Sequence, residues 1–159
     1  MPKLMIACAA VLALAGCKQA GSGAEPVTQV EATRIAEATE ADYGSGDVNK
    51  IGSHYAANAV AFDAANVAPT KESKVLKTWT AQFVSMKPAD YQVSDRNIQI
   101  VGPDAFVSSG IGRFTVQAGQ ARPQVGVRFT QVYQRQKDGQ WKIVHEHMSM
   151  PPTPPGAVR

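Results

Sequence analysis

The stretch SGDVNKIGSHYAANAVAFD, residues 45–63, sets the frame for the rest of the chain. Gly46 and Asp47 form a turn, and Asp47 stands where a helix N-cap belongs, because its carboxylate can accept from the free N–H groups of a first turn. The pattern predicts a short helix through DVNKIGSHYAANA and then a short strand, AVAFD, ending at Asp63. Upstream, VTQVEATRIAEATEADY, residues 27–43, is dominated by alanine and glutamate, with Val27, Val30, Ile35 and Ala38 recurring near helical spacing. It reads as a helix of about four turns, ended by Gly44 and Gly46.

Downstream, a loop runs through Pro69, and Thr70 is placed to cap a third helix. Its apolar stripe is Val75, Leu76, Trp79, Phe83 and Met86, and it ends at Pro88. From there the period changes to two, which predicts four strands over residues 91–101, 105–116, 125–136 and 140–150. The turns between them are Gly-Pro-Asp, Gln-Ala-Gly-Gln and Lys-Asp-Gly-Gln, the last a strong hairpin signal. Helices followed by a run of antiparallel strands is the α+β pattern, a curved sheet with helices packed on one face. The tail PPTPPGAVR, residues 151–159, cannot join a ladder and reads as disordered.

The chain begins MPKLMIACAAVLALAGC, with Lys3 its only charge and an unbroken apolar run of 11 residues from Leu4 to Leu14. A membrane-spanning helix needs about 20 residues, so residues 1–17 read as a secretory signal peptide. Leu14, Ala15, Gly16 and Cys17 resemble the lipobox of bacterial lipoproteins, a family in which the cysteine is lipidated and becomes the new N-terminus. The resemblance implies a lipid anchor on Cys17 in the bacterial cell envelope. Lys18 replaces the aspartate that holds lipoproteins at the inner membrane in many Gram-negative bacteria, which points to the outer membrane, facing the periplasm. Residues 18–26, KQAGSGAEP, read as a flexible tether, leaving 27–150 as one domain.

With Cys8 removed and Cys17 acylated, the domain has neither a disulfide nor a thiol nucleophile. Without Lys3 there are 15 basic and 13 acidic residues, a charge of +2, and no clustered basic face for nucleic acid. The sequence holds no phosphate-cradling glycine loop and no motif that calls for a cofactor.

The order of elements, SGDVNKIGSHYAANAVAFD, and KDGQWKIVHEHMS near the end resemble the nuclear transport factor 2-like fold. More narrowly, they resemble the SnoaL-like group, which includes the kinase association domains and the ketosteroid isomerases. The resemblance covers roughly residues 27–149 and implies a cone-shaped antiparallel sheet with the three N-terminal helices packed on its concave face, a pocket between helices and sheet, and dimers formed through the outer sheet face. It matches Asp63 to the isomerases' general base and Tyr55 to the aromatic of the second helix. The isomerases' oxyanion donors match Thr39 and Val132 or its neighbour, so that pair is missing here.

Strand alternation splits WKIVHEHM: Trp141, Ile143, His145 and His147 on one face, Lys142, Val144, Glu146 and Met148 on the other. The resemblance implies that the second set faces the pocket. Carried across the hairpin, this places Arg128, Thr130 and Val132 inward, and GRFT resembles a kinase association-domain stretch whose arginine, here Arg113, enters the pocket. Two histidines at i and i+2 can aim at one metal ion, but zinc wants three or four ligands and only His54 remains. They read as a half-buried outer face, with no metal.

Three functions follow. The first is a lipid-anchored module binding a small acidic or polyketide-like organic molecule through Arg113, Arg128, Thr130 and Glu146, with Trp79 as wall. The second is an isomerase, cyclase or hydratase using Asp63 as base, with Arg113 or Tyr55 steadying the oxyanion. The third is a homodimeric assembly module with a filled cone. The first is favoured because a guanidinium fork grips a carboxylate at two points.

Overall fold

The computed structural model describes residues 25–151. The residues expected to form the signal peptide and lipobox, most of those expected to form the tether, and all but the first residue of the tail lie outside the described residues. The first helix, α1 (Gln29–Tyr43), starts after Thr28, whose hydroxyl accepts from the Glu31 N–H. Val27, predicted inside the helix, is buried outside it and donates its N–H to the Pro103 carbonyl. The buried stripe is Ala32, Ala36, Thr39, Glu40 and Tyr43, while Val30 is 80 % exposed and Ala38 is also exposed. Small side chains at the centre of the stripe let the helix lie close on the sheet, so the valines did not mark the buried face.

Asp47 caps α2 (Val48–Ser53), accepting from the N–H groups of Asn49 and Lys50. This helix is shorter than predicted, because β1 starts at Tyr55 and runs to Phe62. The helix-favouring alanines 56, 57 and 59 are drawn into the sheet by the last strand: Ile143 donates to the His54 carbonyl, and Tyr55 pairs with Ile143. Thr70 does not cap the third helix directly. It exchanges two backbone hydrogen bonds with Ala61, its hydroxyl accepts from the Glu72 N–H, and α3 (Ser73–Ser85) follows.

The remaining strands are β2 (Ala89–Gly102), β3 (Ala105–Thr115), β4 (Gln124–Arg135) and β5 (Trp141–Ser149), arranged in one sheet of order β1-β5-β4-β3-β2. The last four are antiparallel neighbours, but β1 adds to β5 in parallel, so the sheet is mixed rather than antiparallel. The helical side of the sheet holds the main core. Phe106 stacks on Tyr133 with ring centres 4.6 Å apart, and Ala32, Ala36 and Ile143 close around them. Burying each such ring contributes about 2 kcal/mol. Arg96 on β2 ties the sheet to α1 by gripping the Glu40 carboxylate with two bonds of 2.7 and 2.5 Å.

One irregularity in β5 decides which residues face inward. Tyr133 pairs with Ile143 and Val132 with His145, so Val144 is an extra, bulged residue. Trp141 and Ile143 therefore share the inner face with Glu146 and Met148, while His145 and His147 point outward. Beyond the bulge, Glu146 stands opposite Gln131, where an unbroken hairpin would have set it opposite Thr130. A slip of one residue exchanges the faces of a strand. On β4 the inward side chains are Val127, Phe129, Gln131 and Tyr133, and Arg128 and Thr130 are exposed.

Candidate functional site

A cavity of about 390 Å³ opens between the helices and the concave face of the sheet. The cone is not filled, as a purely structural module would require. Each element around it contributes aromatic or aliphatic side chains. Tyr43 ends α1, Trp79 and Phe83 lie on one face of α3, Tyr91 comes from β2 and Phe114 from β3. Four of these rings touch in series: Phe83 meets Phe114 edge-on at 5.4 Å, Phe114 stacks on Tyr91 at 5.8 Å, and Tyr91 meets Tyr43 at 5.2 Å. Such contacts fix ring orientation. Tyr91 can reach across β3 only because residue 112 is glycine: a Cβ there would lie 2.6 Å from the phenol oxygen.

The polar end is built on Glu146, which is 5 % exposed. Its Oε2 accepts from the Tyr55 hydroxyl at 2.9 Å and from Gln131 Nε2 at 2.6 Å. Gln131 is itself oriented by Tyr133, whose hydroxyl donates to Gln131 Oε1 at 2.9 Å, and its amide also donates to the Tyr43 hydroxyl at 2.7 Å. Two hydrogen bonds do not replace the water a buried carboxylate loses. Burial pushes the Glu146 carboxyl up to about 6, with the neighbouring charge of Asp63 adding to the shift and Gln131 and Tyr55 restraining it. Burial also holds the Tyr43 and Tyr55 phenols well above their usual range, so both remain protonated donors at neutral pH. Asp63 follows β1 on the same wall, where its Oδ1 accepts from the Ala65 N–H and the Asn66 amide.

The structure thus brings Tyr55, Asp63, Trp79 and Glu146 to one cavity. It does not bring Arg113, Arg128 or Thr130 there. Arg113 is exposed and donates to the Ser94 hydroxyl, and Arg128 is exposed and reaches the Met150 carbonyl at 3.3 Å. The inward placement of Arg128 and Thr130 depended on an unbroken hairpin, which the Val144 bulge rules out, and that of Arg113 rested on the resemblance of GRFT, whereas on β3 it is Gly112 and Phe114 that face inward. Among the described residues, those lining the cavity include no lysine, arginine or histidine. The two-point grip on an acidic ligand is therefore lost. Val132 faces outward, and Thr39 is buried away from the cavity, bonded to the Ile35 carbonyl and 3.3 Å from His54. His145 and His147 pack their rings 5.9 and 5.5 Å from that of Phe62. Among the described residues no three His, Cys, Asp or Glu side chains are grouped to hold a metal, and no helix is long and apolar enough to cross a membrane.

Sequence reasoning missed Tyr43, Tyr91 and Gln131. Gln131 had a signal, a polar residue at period two between Phe129 and Tyr133, hidden by the assumed register.

Fold and site together define an α+β cone domain with an apolar cavity closed at one end by a buried carboxyl and two phenols. The chain belongs to the SnoaL-like domain family, whose sequence profile matches residues 32–153. It has the nuclear transport factor 2-like fold. A candidate calcium/calmodulin-dependent protein kinase II association domain from Xanthomonas campestris superposes with a TM-score of 0.71 at 21 % identity, over 80 % of this chain and 94 % of that one. A nuclear transport factor 2-like protein from Pseudomonas putida KT2440 gives 0.66 at 22 % identity, covering 79 % and 88 %. A candidate ketosteroid isomerase from Shewanella frigidimarina gives 0.62 at 19 % identity, covering 74 % and 94 %. A comparison with curated proteins finds no match.

Proposed function

We infer that this domain is a binding module for a small, hydrophobic, non-anionic organic molecule. The observation that carries this is the composition of the cavity wall: aromatic and aliphatic side chains, two carboxyls and no cation. The volume of about 390 Å³ suits a molecule of one to three rings. Its polar group would meet the donors and acceptors around Glu146, Tyr55 and Asp63. This replaces the acidic ligand expected from the sequence, since a further negative charge beside Glu146 and Asp63 would be repelled rather than gripped. Native mass spectrometry of the full chain purified from its own host tests the reading: a retained neutral or basic hydrophobic molecule supports it, and a retained organic acid overturns it.

A second reading is favoured by the pairing of Asp63 with a carboxyl whose proton is held to about pH 6. In it the domain is a proton-transfer enzyme of the isomerase, cyclase or hydratase type. Asp63 takes a proton, and Tyr55 and protonated Glu146 donate to the oxygen where charge develops. Solvent deuterium entering the α-position of a bound cyclic ketone, lost in Asp63→Asn, would favour it over simple binding.

We further propose that Cys17 carries the lipid anchor at the outer membrane and that the outer sheet face pairs two copies. Incorporation of an alkyne-tagged fatty acid, lost in Cys17→Ala, tests the anchor. Light scattering tests the dimer, which a monomer at high concentration would contradict.

A further inference from the structure

The cavity carries more negative charge than its own wall compensates. Glu146 is nine-tenths buried, and its hydrogen bonds from Tyr55 and Gln131 come from neutral donors and both fall on Oε2. Asp63 adds a second carboxyl to the same wall. The charged and titratable groups facing Glu146 from the surrounding elements are Tyr43 on α1, Tyr55 and Asp63 at the two ends of β1, Tyr91 on β2 and Tyr133 on β4. Helix α3 and strand β3 contribute Trp79, Thr80, Phe83 and Phe114, none of which is charged. Arg96 acts on Tyr91 from behind, but both of its terminal nitrogens are held by Glu40.

A buried carboxylate persists only when something of opposite sign, or a proton, accompanies it. Six aromatic rings line the same space, and aromatic faces carry partial negative charge that attracts a cation within about 6 Å of the ring centre. A hydrophobic molecule bearing a positive head group satisfies both features at once: its apolar body fills the cavity and its charge meets carboxylates and ring faces. Resting on the reading of the cavity as a ligand site, we propose that the ligand is a lipophilic amine or quaternary ammonium, held by Glu146 and Asp63 within a cage formed by Tyr43, Tyr55, Trp79 and Tyr91.

A cation binds the ionised form of Glu146 and releases its proton, so affinity strengthens as the pH rises from 5 to 7. A neutral ligand that accepts a hydrogen bond from protonated Glu146 shows the opposite trend.

The test uses the full chain in detergent, with the uncharged dye N-phenyl-1-naphthylamine as reporter. It is displaced by trimethyl(phenylpropyl)ammonium or by that ion's uncharged tert-butyl isostere, at pH 5 and pH 7.5. The ammonium should bind about tenfold tighter than the isostere at pH 7.5. That advantage should shrink at pH 5 and be lost in Glu146→Gln, and Asp63→Asn should reduce it. Dye and isostere should still bind both variants, which shows that they are folded. If the dye binds but the ammonium is no better than the isostere at either pH, the cation is ruled out while the cavity remains a ligand site. If neither dye nor isostere binds, the ligand site fails and the cation with it.

Discussion

Gln131 Nε2 lies 2.6 Å from Glu146 Oε2, a pair that exists only because Val144 is bulged out of the β4–β5 ladder. Glu146 is thereby held by an amide that Tyr133 orients from the core side, so the floor of the cavity is joined to the packed interior.

Gln131→Leu removes the donor to Glu146 and Tyr43 and the acceptor for Tyr133 while keeping similar bulk. Taking one partner from each of these buried groups, with Tyr55 still bonded to Glu146 and Tyr43, should cost about 1–3 kcal/mol of stability. Because the lost bond favours the ionised form, the Glu146 carboxyl should titrate above about 6. Urea unfolding and a ¹³C titration of the glutamate carboxyls check the two parts separately.

Stability should fall as pH rises through the range in which Glu146 ionises. Its folded value, about 6, lies above the ordinary glutamate value of 4.5, so between these the folded state holds more protons than the unfolded chain. Its contribution is fully present below about 4.5, declines up to about 6, and amounts to about 2 kcal/mol. Asp42 acts in the opposite sense at lower pH. Its hydrogen bond to His54 lowers its carboxyl below 3.8, so its contribution is present above 3.8 and is lost only in stronger acid. Unfolding free energy measured at pH 4.5 and pH 7 should drop for the natural chain, and the drop should be much smaller in Glu146→Gln.

Arg113→Ala and Arg128→Ala should leave ligand affinity within about twofold and stability within about 0.5 kcal/mol, as for most exposed positions. Both side chains lie on the outer surface of the sheet. Dye titration of the two variants checks this, and loss of binding in either would mean that the inward face of β3 or β4 has been assigned wrongly.

Gly112→Ala places a methyl 2.6 Å from the Tyr91 hydroxyl. The ring must swing off β3 into the cavity or the strands must part, at a cost of about 1–3 kcal/mol. Affinity for the dye should fall more than in Gly126→Ala, where a Cβ meets nothing within 4 Å.

Much of the fold was legible because its signals are local. Asp47 before a short apolar turn, Lys-Asp-Gly-Gln between alternating runs, and the change of period after Pro88 each point to one element. The parallel pairing of β1 with β5 was not legible, since it joins segments about 90 residues apart and nothing in Ala56 to Ala59 distinguishes strand from helix. The site was legible in part for a related reason. Tyr55, Asp63 and Glu146 follow from position in the family pattern and Trp79 from the apolar stripe of the third helix, and all four line the cavity. The faces of β3 and β4 depended on register, and neither Val144 nor its neighbours carry a residue type that signals a bulge, so one unrecognised residue turned Arg128 and Thr130 inward on paper and hid Gln131.

The central claim, that this cavity takes hydrophobic molecules and refuses anions, is tested most directly by titrating the protein at pH 7.5 with two dyes that differ by one sulfonate. These are N-phenyl-1-naphthylamine and its 8-sulfonate. With Glu146 and Asp63 on the wall and no cation among the lining residues, the uncharged dye should bind about tenfold tighter or more. Equal or tighter binding of the sulfonate inside the cavity, shown by its displacement on adding the uncharged dye, would contradict the account.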